Sequence, residues 1–185
     1  KRLVIVGGGN MGVALLYHLA EAGWTDIILL EKGELTSGST WHAAGQIAHA
    51  VGSRLAGWIN KTSIETYKRV EKETGQSIGW HEVGGFRIAT TDDEVDWMKS
   101  IMGVGKLLDL PMELVGPEEV ARVNPFYKVD DVKVAVRTFE DGHIDPSSVT
   151  MALAAAVVPL LSQLGSTTWF SAVKFSAAGA SRKAM

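Results

Sequence analysis

The chain opens on a short unbroken apolar run, Leu3 to Val6, that stops at Gly7-Gly8-Gly9. A β-branched run of this length bounded by glycines predicts a buried strand followed by a tight turn. From Asn10 the period changes: Met11, Leu15 and Leu19 recur at helical spacing until Gly23, which can take the left-handed conformation of a helix end at no steric cost. Ile27 to Leu30 then repeats the apolar run and finishes at Glu31. Strand, turn, helix and strand make a βαβ unit, the building block of parallel sheets covered by helices.

Further along, Leu55, Trp58, Ile59, Thr62, Tyr67 and Val70 form a stripe ending at Gly75, which predicts a long amphipathic helix over 53–73 with that stripe in the core. Gly84 to Thr90 reads as a strand. Thr91-Asp92-Asp93-Glu94 has the hydroxyl-to-carboxylate spacing of a capping box and opens a helix with Val95, Met98, Met102 and Leu108 inward. Met112 to Val115 is a short strand, Pro117 with Glu118 and Glu119 starts a helix that Pro125 closes, and Val132 to Phe139 alternates as a strand. Asp145 and Pro146 read as the cap and first turn of a helix over Ser147 to Leu161. Its apolar run, Met151 to Leu161, is too short to span a bilayer and carries Pro159, so a buried helix without membrane insertion is expected.

Composition narrows the function classes. The 185 residues are 46% hydrophobic and 21% charged, enough for a sizeable core and far from a disordered composition. Lys and Arg number 18 against 21 Asp and Glu, so the basic footprint of a nucleic-acid binder is missing and a small or weakly charged partner is expected. Without cysteine there is no disulfide, thiolate zinc site, iron–sulfur cluster or cysteine nucleophile, and no metal is expected. No repeat, low-complexity tract or Pro/Ser linker divides the chain, which points to interleaved domains rather than beads on a string. Lys1 stands directly against the first strand, so a processed start or a piece of a longer protein is expected.

The chemistry begins in the first turn. Gly7, Gly9 and Gly12 form G-x-G-x-x-G between strand and helix. The first glycine turns the chain, the second lets backbone approach a pyrophosphate, and the third packs helix on strand, with the helix N-terminal amides facing the phosphates. Glu31, nineteen residues past Gly12, can accept both hydroxyls of an adenosine ribose and would repel a 2′-phosphate, which disfavours NADP. The fingerprint alone leaves NAD and FAD open. The segment that follows, Lys32 to Gly45, is rich in glycine and small hydroxyl residues suited to wrapping a polyanionic or planar ligand.

Three stretches carry a resemblance: V-I-V-G-G-G-N-M-G at 4–12, L-L-E-K-G-E-L-T-S-G-S-T-W-H-A-A-G at 29–45 and F-E-D-G-H-I-D-P-S-S-V-T at 139–150. With them the chain resembles the dimethylglycine and sarcosine dehydrogenase/oxidase family of flavoproteins, within the wider D-amino-acid-oxidase-like group. The likeness covers about residues 1–155 and fades over 157–185. It implies an α/β fold, a Rossmann-like FAD-binding domain interleaved with a β-rich (α+β) substrate domain whose sheet covers the flavin face, both truncated here. Residues 1–80 would be FAD-binding, 81–140 substrate-domain, and 141–185 a return to the FAD-binding domain whose tail, from Ser176, lacks the strand that usually closes such a sheet.

The resemblance further implies FAD held by Gly7, Gly8, Gly9, Asn10, Met11, Gly12, Glu31, Lys32, Ser37, Gly38, Ser39, Thr40, His42, Ala43, Ala44 and Gly45. His42 matches the family histidine that carries FAD covalently through the 8α carbon. A neutral imidazole nitrogen is a competent nucleophile for that bond, which would tune the flavin potential. His18, His49, His81 and His143 are read as satisfied core or surface histidines, Arg54 as a solvated helix arginine rather than a carboxylate clamp, and Asp145 as structural.

By the same resemblance the reaction is oxidative N-demethylation of a small N-methylated glycine, with hydride transfer from the N-methyl carbon to flavin N5 giving an iminium. Catalytic residues stay unassigned, and no general base is required if the amine binds neutral. The partners implied are a small-molecule amine and electron-transfer flavoprotein or oxygen as acceptor, with tetrahydrofolate only in a longer parent. Mitochondrial matrix and bacterial cytoplasm both fit. Rival readings are another FAD amine or amino-acid oxidase, a non-catalytic flavin-domain homologue acting as a regulatory subunit, and a truncated chain with no activity of its own.

Overall fold

The computed structural model describes residues 2–163 and 170–172. In chain order the elements are β1 (Leu3–Val6), α1 (Asn10–Glu21), β2 (Ile27–Glu31), a 3-10 turn (Thr40–His42), β3 (Gln46–Ile47), α2 (Arg54–Thr74), β4 (His81–Glu82), β5 (Gly85–Ala89), α3 (Asp92–Leu107), β6 (Met112–Val115), α4 (Pro117–Val123), β7 (Val134–Thr138), β8 (Gly142–His143), α5 (Pro146–Gln163) and β9 (Phe170–Ala172). They fall into two compact units. One is built from residues 2–44, 70–78 and the described residues from 146 onward, the other from 45–69 and 79–145.

The first unit contains the βαβ motif. β1 and β2 pair in parallel from Leu3 opposite Ile27 to Val6 opposite Leu30, and β9 continues the parallel sheet on the far side of β2. Thus the chain still adds a strand to this sheet beyond the point where the sequence resemblance fades; the tail from Ser176 lies outside the described residues. Helix α1 packs against α5. Its inward face is Val13, Leu16, Tyr17 and Ala20, whereas Met11 and Leu15 of the predicted periodicity are exposed. The helix is apolar on more than one face, and contact with α5 selects the one that is buried.

Helix α5 is longer than its apolar run suggested. By length and composition alone Pro146–Gln163 is a candidate membrane span, which corrects the expectation that this segment is too short. In this structure it behaves as a core helix, with Val149, Thr150, Ala152, Leu153, Ala156, Val157 and Leu161 buried. Removing an aliphatic side chain of this size from water contributes roughly 1.5–3 kcal/mol.

The second unit holds two antiparallel sheets. In one, β7 lies between β5 and β6, and helix α3 covers it, with Ala50, Ala89, Met98, Ile101 and Val136 forming a buried cluster. The predicted capping box is present: Thr91 Oγ1 accepts from Glu94 N at 3.3 Å and Glu94 Oε2 accepts from Thr91 N at 3.0 Å. Met98 is inward as expected, Val95 and Met102 are partly buried, and Ile101 is the larger contribution that the sequence stripe omitted.

The other sheet, β3-β8-β4, was not legible in the sequence, because its strands are two residues long and pair across wide separations. Gly142 makes it possible, since a Cβ there would collide with the His81 carbonyl oxygen. The stripe predicted for α2 also needs correction. Val70 is buried as expected, whereas Leu55, Trp58 and Ile59 are 66%, 55% and 48% exposed, and the buried positions of the helix in the second unit are Gly57, Ile64 and Thr66. The missing side chain at Gly57 lets α2 lie against Leu108, so a small residue, not an apolar one, marks the packed face.

Candidate functional site

The glycine turn of the first unit forms where β1 runs out. Gly7 has φ +110°, a conformation that side chains rarely adopt, and its amide closes the sheet by donating to Leu30 O at 2.8 Å. At Gly12 a Cβ would collide with the Gly7 carbonyl oxygen, so glycine is what lets α1 start directly against the turn. Gly9 occupies the N-cap position and supplies no side-chain cap, so the first turn of α1 leaves orphan amides at the positive end of the helix dipole. A glycine turn at the positive end of a helix dipole fits a dinucleotide pyrophosphate.

Glu31, at the end of β2, crosses to the turn. Its Oε2 accepts from Gly8 N at 2.6 Å and its Oε1 from Gly33 N at 2.9 Å. The Gly8 amide and then the Gly33 amide hold the carboxyl below the ordinary glutamate range. An ionised carboxylate has about four lone-pair positions, so two backbone bonds leave acceptor capacity for ribose hydroxyls. Lys32 is exposed and lowers the Glu31 pKa further, first through its backbone amide and then through its charge.

The segment behind Glu31 folds back onto the turn. Thr36 N donates to Gly8 O at 3.0 Å, and Thr36 takes a left-handed φ of +71° to do so. Leu35 covers Gly8, where a Cβ would collide with its Cδ2. Ser37 Oγ donates to Glu34 O at 2.8 Å. Thr40 Oγ1 accepts from Asn10 N at 3.0 Å, so this first-turn amide is already committed. His42 follows in the 3-10 turn, exposed, with Trp41 tilted over it at 3.8 Å between ring centroids. Its Nδ1 lies 3.2 Å from Gly38 O. A carbonyl only accepts, so in the neutral imidazole this contact takes the tautomer with the proton on Nδ1, which leaves the lone pair on Nε2.

Most of the residues named from sequence thus meet in one unit: Gly7 to Gly12, Glu31, Ser37 to Thr40, and His42 to Ala44. Gly45, with φ +70°, begins the second unit, where its carbonyl accepts from Ile144 N at 2.9 Å. Sequence reasoning missed Leu35 and Thr36 as parts of the turn. Nothing local signals Thr36, because a β-branched residue is a poor choice for positive φ.

In the second unit His49 is buried, with its backbone N and ring Nδ1 both donating to Asp141 Oδ1 at 2.8 Å. It is a satisfied core histidine. His18 is exposed beside Glu21, His81 and His143 stack on one another, and Arg54 is exposed at the start of α2.

Comparison with known proteins agrees with this geometry. Residues 2–160 match the family model described as FAD dependent oxidoreductase (DAO). The chain is 45% identical over 152 residues to the mitochondrial dimethylglycine dehydrogenase of Homo sapiens, covering 82% of this chain and 18% of that protein. It is 36% identical over 155 residues to the mitochondrial pyruvate dehydrogenase phosphatase regulatory subunit of Mus musculus, covering 84% and 18%. Among solved structures, L-proline dehydrogenase from P. horikoshii superposes with a TM-score of 0.78 at 26% identity, over 92% of this chain and 44% of that one. The chain therefore spans about one fifth of the length of the curated relatives it matches.

Proposed function

The chain belongs to the FAD dependent oxidoreductase family, and from that premise we propose that it is the cofactor-binding start of an amine-oxidising flavoenzyme that demethylates a small N-methylated glycine, dimethylglycine or sarcosine. The observation that carries this reading is the docking of the Ser37–His42 segment on the glycine turn, in a chain 45% identical to a dimethylglycine dehydrogenase. In this reading residues 1–80 and 141–185 serve FAD binding and 81–140 the substrate.

Gly7 to Gly12 would face the pyrophosphate with open backbone, Glu31 would take the adenosine ribose hydroxyls, and Ser37 to Gly45 would wrap the flavin edge. His42 would hold the flavin through its 8α carbon, with Nε2 of the neutral imidazole as the attacking atom and Nδ1 donating to Gly38 O. When bound, the flavin would supply the two-electron oxidation, accepting a hydride from the N-methyl carbon and leaving an iminium that water hydrolyses to formaldehyde. The protein's own share is binding, orientation and exclusion of water around the reacting carbon. Electron-transfer flavoprotein or oxygen would reoxidise the cofactor, in the mitochondrial matrix or a bacterial cytoplasm, and tetrahydrofolate would enter only in a longer protein.

Likeness to the regulatory subunit favours one second reading, a flavin-domain homologue without turnover. Intact mass under denaturing conditions after incubation with FAD tests the primary reading, with His42→Ala beside it. The expected result is an added mass of one FAD that disappears in the variant. A bare chain in both would remove the covalent link from the reading. Formaldehyde release from dimethylglycine by a longer form of the protein separates the enzyme from the regulatory homologue.

A further inference from the structure

We propose that Thr40 is the positioning residue that docks the His42 segment on the start of α1, acting as an N-cap supplied from thirty residues downstream. The inference rests on the flavin reading only for the purpose of the docking; the docking itself stands on the hydrogen bonds between residues 31–42 and 8–10.

Helix α1 has no cap of its own, because Gly9 has no side chain to offer. A helix start of this kind usually obtains an oxygen from serine, threonine or aspartate at the N-cap. Here the oxygen is Thr40 Oγ1, which accepts from Asn10 N at 3.0 Å. Glycine at position 9 leaves room for the approach: a Cβ there would lie 2.9 Å from the same hydroxyl oxygen. The contact continues to a third element. The Asn10 side-chain amide oxygen lies 3.3 Å from Thr150 Oγ1, and that hydroxyl, fully buried in α5, donates to Pro146 O at 2.8 Å.

Three attachments thus hold residues 31–42 to residues 8–10, in sequence order: Glu31 to Gly8 N, Thr36 N to Gly8 O, and Thr40 to Asn10 N. The last is two residues from His42. Beyond it the backbone bonds of the segment are local, His42 N to Ser39 O at 3.3 Å and Ala43 N to Thr40 O at 3.2 Å, while the 3-10 turn also lies against α5. Thr40 therefore makes the hydrogen bond nearest His42 that ties the segment to the glycine turn.

The test is amide hydrogen exchange on the whole unliganded chain, comparing Thr40→Val, which keeps the shape and loses the acceptor, with Thr40→Ser, which keeps the hydroxyl. Thr40→Val should raise exchange about fivefold at Asn10 and across residues 37–44, the equilibrium equivalent of the ~1 kcal/mol that a lost cap typically costs. Thr40→Ser should stay close to the parent, and Leu16 and Leu153 should be unmoved in both. Equal behaviour of the two variants, no change at Asn10 in Thr40→Val, or a uniform rise through α1 and α5 would overturn the proposal.

Incubation with FAD gives an independent second readout. Thr40→Val should acquire covalent flavin about fivefold more slowly than the parent, and Thr40→Ser at the parent's rate. If the parent acquires none, the flavin reading fails while the exchange comparison still decides the docking.

Discussion

The glycine turn of the first unit and the β3-β8-β4 sheet of the second use the same device, a glycine placed where backbone meets backbone, at opposite ends of sequence distance. Gly12 admits the carbonyl of Gly7, five residues away, whereas Gly142 admits the carbonyl of His81 from far along the chain. The first arrangement closes within one strand–turn–helix and can be read from a six-residue pattern. The second exists only after β3 and β4 have been brought to β8, and nothing in the sequence near Gly142 specifies its partners. A local site can be written as a motif, whereas a non-local one is written as contacts.

The sharpest way to break this comparison is at Gly12. Gly12→Ala should cost about 4 kcal/mol, because the new Cβ meets backbone that cannot move aside without shifting α1 from β1. Denaturant unfolding with exchange followed in both units would check it, and the first unit's amides should open first. A loss below 1 kcal/mol would mean that the turn is looser than a dinucleotide site needs.

Asp141→Ala is the counterpart in the second unit and should cost about 3 kcal/mol, since it strips the buried His49 of the acceptor that serves both its backbone and its ring. The exchange signature should centre on β3 and β8 and leave Gly8 and Asn10 protected. Equal exposure of both regions would show that the local site depends on the non-local sheet.

A smaller effect is expected at Glu31, and it is visible as a pH dependence. Backbone donation from Gly8 and Gly33 depresses its folded pKa, so its stabilising contribution is complete above the ordinary glutamate value of 4.5 and is lost as pH falls through the depressed folded value. Glu31→Gln should flatten that acid slope of stability. A variant with the parent's slope would place the titration elsewhere. The smallest change is Thr91→Ala, which removes the predicted capping box of α3 and should cost about 1 kcal/mol, read as a shift of the denaturation midpoint.

The elements that were legible share one property, that their determinants lie within a few residues. β1, α1, β2 and the Thr91–Glu94 box all stand where the pattern put them. The α2 stripe misled because hydropathy ranks Leu55, Trp58 and Ile59 above Gly57, while packing against Leu108 rewards the residue with no side chain. In the candidate site the glycines, Glu31 and the His42 segment were found by motif and resemblance. The roles of Leu35, Thr36 and Thr150 were not, since each is defined by a partner at Gly8 or Asn10 and by no feature of its own neighbourhood.

By itself, the sequence determined the glycine turn, the carboxylate at the end of the second strand and the family likeness, because each is a statement about nearby residues and their allowed conformations. Only the tertiary structure decided which helix faces are buried, which short strands pair, and that Thr40 reaches back to the amide of Asn10. Those outcomes depend on which surfaces meet, and a chain's local pattern fixes what each surface offers without fixing what it will touch.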